Sequence, residues 1–296
     1  MSDITLSAAT RTNLLSLQRT SGLIGRSQER LASGLKVNSA IDDALSFFKA
    51  RNLNARASDL SAIKDAIVGG VSVIKAAIQG LETIEATLKQ AKALAQSAIS
   101  SPESSTRAKL ASQFNELRSQ IDNIAEDSSF DGVNLLKNTT AAFASGSDNL
   151  TVKFNERTAA TAINQLVVSG LNTSDFGTIL ARSAVATGTA GTTTVWGQTG
   201  TAAVTAINSA LRAIDSALVS VRQVSQTFGT NSSLLEIRRQ FTENLINTLK
   251  GGASSLVNAD LNEESANLLS LQTRQQLGTI SLGIAQQSEQ SVLRLF

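Results

Sequence analysis

The sequence predicts a mainly α fold, with long antiparallel coiled-coil helices drawn from both chain ends and a small β-rich or irregular middle module. Three observations carry that reading. Leu53, Leu60, Ile67, Ile74, Leu81, Leu88 and Ala95 recur every seventh residue without a break, which keeps one apolar seam on one side of a slightly underwound helix. A second heptad run lies in the other half, Ile207, Ile214, Val221 and Phe228, flanked by Leu211 and Leu218. Pro102 is the single proline among 296 residues, and proline inside a helix costs about 3 kcal/mol.

Composition narrows the function classes. Hydrophobic residues make up 42% of the chain but aromatic ones only 4%, so the apolar mass is Leu, Ile, Val and Ala, suited to narrow seams between helices. Histidine and cysteine are absent. That excludes the common zinc sites, Cys–His pairs, Ser–His–Asp triads and disulfides, and neither a cofactor nor a metal is expected. The adjacent acids Asp42–Asp43 and Glu263–Glu264 fall where helices should begin and read as N-terminal carboxylates rather than a catalytic pair. The formal charge of +2 comes from basic residues interleaved with acids and lacking aromatic platforms, which argues against nucleic acid as a partner. No run approaches the roughly 18 apolar residues of a membrane span. The stretch Met1–Leu6 has no basic start and apolar middle of a cleavable signal.

Along the chain, Leu14, Leu17, Ile24, Leu31 and Leu35 mark a weakly amphipathic first helix, interrupted by Gly22, Gly25 and Gly34 and marginal without tertiary burial. Ser39 and Asp42 read as a capping box opening the second helix, which carries the long ladder to about Ile99 and tolerates Gly69, Gly70 and Gly80. Close approach of a neighbouring helix is one explanation for those glycines and a gentle bend another, and the sequence does not choose between them. Ser101-Pro102-Glu103 reads as cap, first helical position and first turn of a third helix, whose core positions are Leu110, Phe114, Leu117, Ile121 and Ile124. From about residue 128 to 200 the helical period fades. Leu150, Val152 and Phe154 alternate as a strand, Ala162–Ser169 offers another, and the middle reads as an exposed, tolerant insertion. The heptad run then returns and continues through Leu234, Phe241 and Leu245 until Gly251–Gly252 breaks it. Asp260 and Glu263 cap a final helix with Leu261, Leu268 and Leu271, ending in Val292-Leu293-Arg294-Leu295-Phe296. The expected divisions are a terminal assembly helix at 1–40, a rod and turn at 41–138, an outer β or loop region at 139–203, a second rod at 204–252 and a second assembly helix at 253–296. The rods would hold the monomer together. The terminal helices have seams too thin to stand alone and should be covered by partners.

Gln28-Glu29-Arg30-Leu31-Ala32-Ser33-Gly34-Leu35-Lys36-Val37-Asn38-Ser39-Ala40-Ile41-Asp42-Asp43-Ala44 resembles the ERLSSGLRINSAKDDA signature of bacterial flagellins. Phe130–Leu136 is similar to that family's FNGVKVL turn, and Gln272–Gly278 with Val292–Phe296 resembles its C-terminal helix. The resemblance implies a filament subunit for swimming motility, exported unfolded through the flagellar type III channel, found outside the cell and polymerised with copies of itself. It further implies an export chaperone, a filament cap and hook-junction proteins as partners. Carried over by position, the inner-tube contacts fall on Leu14, Leu17, Ile24, Leu31, Leu282, Ile284, Val292, Leu293, Leu295 and Phe296. An innate-receptor surface falls on Gln90, Leu94 and Gln113, where two charged family positions are glutamine and recognition should be weak. The alternatives are a hook–filament junction protein of the same superfamily and a non-flagellar coiled-coil scaffold. A metalloprotease insertion in the middle would need an HExxH motif, and the chain has no histidine.

Overall fold

A computed structural model describes residues 8–136, 149–156, 164–170, 195–198 and 200–293. In chain order its elements are α1 (Ala8–Ser33), α2 (Ala44–Ser100), α3 (Ser104–Asp127), β1 (Ser129–Phe130), β2 (Val133–Asn134), β3 (Asn149–Lys153), β4 (Gln165–Ser169), a 3-10 turn (Val195–Gly197), α4 (Thr201–Val257) and α5 (Leu261–Leu293). They divide into two compact units, Met1–Ser58 with Ile246–Phe296, and Asp59–Leu245. Both unit boundaries fall inside α2 and α4.

The unit Asp59–Leu245 is built on the heptad rows. Leu60, Ile67, Ile74, Leu81, Leu88 and Ala95 of α2 are all buried, and so are Ile207, Ile214, Leu218, Val221 and Phe228 of α4, while Leu211 packs on this core half-buried. Each such leucine or isoleucine contributes about 1.5–3 kcal/mol on burial. A second buried row on α2, three residues along, is mostly small: Gly70, Ala77, Ala91 and Ala98, with Ile84 the exception. Ala203, Ala210 and Ala217 do the same on α4. A wide row beside a narrow one lets other elements lie close. The two helices run antiparallel, as the pairs Lys92–Asp215 and Glu85–Arg222 require. Hydrogen bonds from Lys89, then Arg222, hold the Glu85 carboxyl below its ordinary pKa. Ala111, Phe114 and Ile121 bring α3 into the same core.

Several sequence expectations are corrected. The lower row of α4 is Leu235 and Thr242, then Leu249 of the other unit, not Leu234, Phe241 and Leu245: Leu234 is 38% and Phe241 58% exposed, and Leu245 is half-buried. Gly251–Gly252 does not break α4, which runs on to Val257; two glycines cost about 2 kcal/mol in a helix, too little to end one that continues to pack. Gly22 and Gly25 likewise lie within α1, whose end is set by Gly34 at φ +72°. The helix-opening residue at α2 is Asp43, whose side chain accepts from the amides of Leu45 and Ser46. Asp42 instead turns back to the amides of Asn38 and Ser39. Glu103 is the cap residue of α3, with no backbone amide capped by its side chain, so Pro102 lies before the helix.

The middle is not simply an exposed insertion. Strands β3 and β4 pair antiparallel, Leu150 opposite Val168 and Val152 opposite Leu166, and Leu150, Val152 and Val168 join the main core. They explain Gly70: a Cβ placed there would lie 2.7 Å from Val152 Cγ2. Gly80 is explained similarly by Ser128 and Leu136, whereas Gly69 has open space. Thus the nearest neighbours are a strand and a hairpin end, with Leu235 of α4 3.6 Å from the Gly70 position as well. That hairpin, β1–β2, turns at Asp131 and Gly132 with φ of 51° and 76°, the doubly positive geometry that matches strand twist. Asn134 donates to the carbonyls of Ala125 and Glu126 at the end of α3. Trp196 is fully buried against Phe114, ring centroids 5.1 Å apart. Arg107 donates to the carbonyls of Trp196, Gln198, Ser101 and Pro102. Most of Ser183–Ala203 and the start of Ala162–Ser169 lie outside the described residues.

Both α2 and α4 contain an 18-residue window apolar enough to cross a membrane by composition, contrary to the expectation of no such stretch. The two adjacent apolar rows supply these windows, and half of the α2 window is buried inside the protein, as in the core helix of a water-soluble bundle.

Candidate assembly interface

In the unit Met1–Ser58 with Ile246–Phe296, α1 and α5 pair antiparallel. Leu17 sits over Gly278 near the middle of the pair, where a Cβ on the glycine would lie 2.8 Å from Leu17 Cδ2. Nearer the connector, the Glu264 carboxylate accepts from Ser27 Oγ at 2.9 Å and from the Arg30 guanidinium at 2.8 Å. Glu264 is 8% exposed, the one charged residue among the described residues that is buried. The bond from Arg30 lowers its pKa, burial opposes this and Ser27 adds to the lowering. The acidic pair Glu263–Glu264 is therefore more than a helix-terminal charge. Asp260 supplies the cap, accepting from the amides of Asn262 and Glu263.

The connectors beside this hairpin are clasped. Lys36 and Val37 donate their amides to the Val257 carbonyl, Ala259 donates to Gly34, and the Lys36 ammonium reaches the Ser255 carbonyl. Close to them, Leu53 of α2 is half-buried and touches the Gly252 position, so it belongs to this unit rather than to the heptad core.

The hairpin buries one face of each helix and leaves the other bare. On α1, Leu17, Ile24 and Leu31 are half-buried, whereas Leu14, Leu15 and Leu23 are exposed. On α5, Leu268, Leu271 and Leu282 are half-buried, whereas Leu269, Leu277, Ile280 and Ile284 form an outer row, each about 60% exposed or more. Ile41 in the turn before α2, and Leu45 and Phe48 at its start, are exposed as well. Among the sequence-derived assembly positions, Leu14 and Ile284 thus face outward, and Leu17, Ile24, Leu31 and Leu282 line the half-buried side. Leu295 and Phe296, with the side chains of Val292 and Leu293, lie outside the described residues. Sequence reading missed Leu15, Leu23, Ile41, Leu45, Phe48, Leu269, Leu277 and Ile280. The signal for the α5 set was present, an eight-three-four spacing, yet two apolar rows on one helix look alike until a partner covers one.

In the other unit, Leu234, Ile237 and Phe241 make an exposed row on α4, above a shallow groove lined by Gln226, Gly229, Thr230 and Ser233. Gln90 and Gln113 are exposed and Leu94 is half-buried. Among the described residues no cluster of acids could hold a metal. The chemistry on offer is apolar contact between rods.

Residues 4–141 match the bacterial flagellin N-terminal helical region, and residues 211–296 match the bacterial flagellin C-terminal helical region. The chain belongs to the bacterial flagellin family. Flagellin FljM of Caulobacter vibrioides is 34% identical over 287 residues, covering 96% of this chain and 94% of the relative. Flagellin FljK of the same organism is 33% identical over 300 residues, covering 100% and 99%. The flagellin of Brucella melitensis is 26% identical over 307 residues, again 100% and 99%. As a flagellin, the chain is a structural subunit of the extracellular filament that drives swimming, and its partners there are copies of itself. The exposed apolar rows of this flagellin are the kind of surface a homopolymer covers.

Proposed function

We propose that the α1–α5 hairpin is the assembly module that lines the inner tube of the filament, and that the bundle of α2, α3 and α4 forms the shell around it. One observation supports this most: both terminal helices carry an apolar row left exposed among the described residues. By family likeness, the chain travels unfolded through the flagellar type III channel and meets an export chaperone, the hook-junction proteins and the filament cap. It has no enzymatic role; a filament subunit works by packing. The near-complete coverage of relatives named flagellin favours a filament subunit over a junction protein. The experiment is seeded polymerisation followed by electron microscopy. A chain lacking residues 1–43 and 258–296 should stay helical but fail to extend seeds. Normal extension by that chain would sink the assignment.

The innate-receptor surface at Gln90, Leu94 and Gln113 is proposed to be weak, because two glutamines offer no charge to an ionic partner, and lost charge pairs at an interface cost a few kcal/mol. A full reporter-cell response to purified monomer would contradict this.

A further inference from the structure

We propose that Glu264, held by Ser27 and Arg30, acts with the seat of Leu17 over Gly278 to fix the heptad register in which the two terminal helices pair. The need for such a device follows from the rows themselves. Leu17, Ile24 and Leu31 recur every seven residues on α1. On α5 the half-buried row runs Leu268, Leu271, Gln275, Gly278 and Leu282. Seams of this kind bury nearly the same area when one helix slides by a heptad, so apolar contact alone discriminates poorly between registers.

Two contacts break that degeneracy. If the helices slid by seven residues in one direction, Glu264 would face Thr20 and Leu23 in place of Ser27 and Arg30. In the other direction it would face Gly34 and Val37. Both leave a carboxylate against the seam without its cation, and an unpaired buried charge is strongly unfavourable. Two heptads along α5 the same slides would set Leu17 against Leu271 or Ala285 instead of Gly278, so that a side chain takes the place of the glycine on which Leu17 sits. One contact is polar and one steric, and they lie two heptads apart along α5. A slip would also move the outer row Leu269, Leu277, Ile280 and Ile284 about 10 Å along α1. The consequence for the filament rests on the assembly reading above; the register within one chain does not.

The chain contains no cysteine, so introduced thiols report without interference. The full-length chain carries Thr20→Cys with Gln275→Cys for the observed register, or Thr20→Cys with Leu268→Cys or Leu282→Cys for the slipped ones. Each is mixed as a small minority into wild-type subunits, so that disulfides form within one chain, and is read in both pelleted filaments and supernatant. With the native contacts, the Gln275→Cys pair should cross-link more than about tenfold faster than either slipped pair, a difference of about 1.4 kcal/mol. Adding Glu264→Leu with Arg30→Leu, and separately Gly278→Leu, should bring a slipped pair to within about threefold, in whichever fraction the chain is found. An unchanged tenfold preference in these variants overturns the proposal. So does loss of all three cross-links together, since that marks a role in holding the hairpin rather than in choosing its register.

Discussion

Gly70 and Val152 are in a contact that no side chain on the helix could share: a Cβ at Gly70 would lie 2.7 Å from the valine Cγ2 and 3.6 Å from Leu235 Cδ1. This is how strand β3 settles onto α2. Its neighbour Gly69 has nothing within 4 Å. Gly70→Ala should therefore lower stability by about 1–3 kcal/mol through overpacking, and Val152→Ala in the same chain should recover part of it. Gly69→Ala should raise stability by up to about 1 kcal/mol, the helix preference for alanine. Urea unfolding of the three variants separates these outcomes, and equal effects at the two glycines would count against the packing described.

Arg107 ties the 3-10 turn to the corner between α2 and α3 through four carbonyls. Arg107→Ala leaves those carbonyls to water and should cost about 2 kcal/mol or more. Trp196 is the only tryptophan, so its emission should shift to the red as the turn detaches from Phe114. A blue, quencher-protected emission in the variant would show that the ring packing alone holds the turn.

The pH dependence of the α1–α5 pairing follows from Glu264. Arg30 holds its carboxyl below the ordinary 4.5, so the unfolded chain takes up the proton first. The stabilisation is complete above that ordinary value and is lost as the pH falls through the lower folded value. Amide protection across residues 20–30 of assembled filaments, taken relative to the intrinsic exchange rate at each pH, should fall on acidification in the native chain. In Glu264→Gln that protection should be low at every pH and flat. Parallel curves for the two chains would place the acid response elsewhere.

The outer row of α5 offers a test of assembly that spares the rest of the chain. Leu277→Asn, Ile280→Asn and Ile284→Asn together should slow seeded filament growth by about tenfold or more, the equivalent of about 1.4 kcal/mol in contact energy. The urea midpoint of the unit Asp59–Leu245 should not move, because none of the three belongs to its core. Unimpaired growth would mean that another surface carries polymerisation.

Much of the fold was legible because helical heptads are a local code. The rows from Leu60 to Ala95 and from Ile207 to Phe228 needed only their spacing, and both are buried. Further along α4 the apolar letters mislead: Leu234 and Leu235 are equal as letters, but the sevenfold row from Ile207 through Phe228 runs on to Leu235, and that is the residue buried beside Gly70. The acidic pair at 263–264 was ambiguous because its partner lies more than two hundred residues away.

What the sequence determined by itself was the class of fold and the family, because periodicity, the near absence of proline and the motif around Arg30 are written in consecutive residues. What only the tertiary structure decided was which apolar residues stay bare, which glycines answer to a neighbour and how the two chain ends are paired. Those depend on contacts between distant segments, where burial and charge pairing are settled by the partner that arrives and not by the residue that waits.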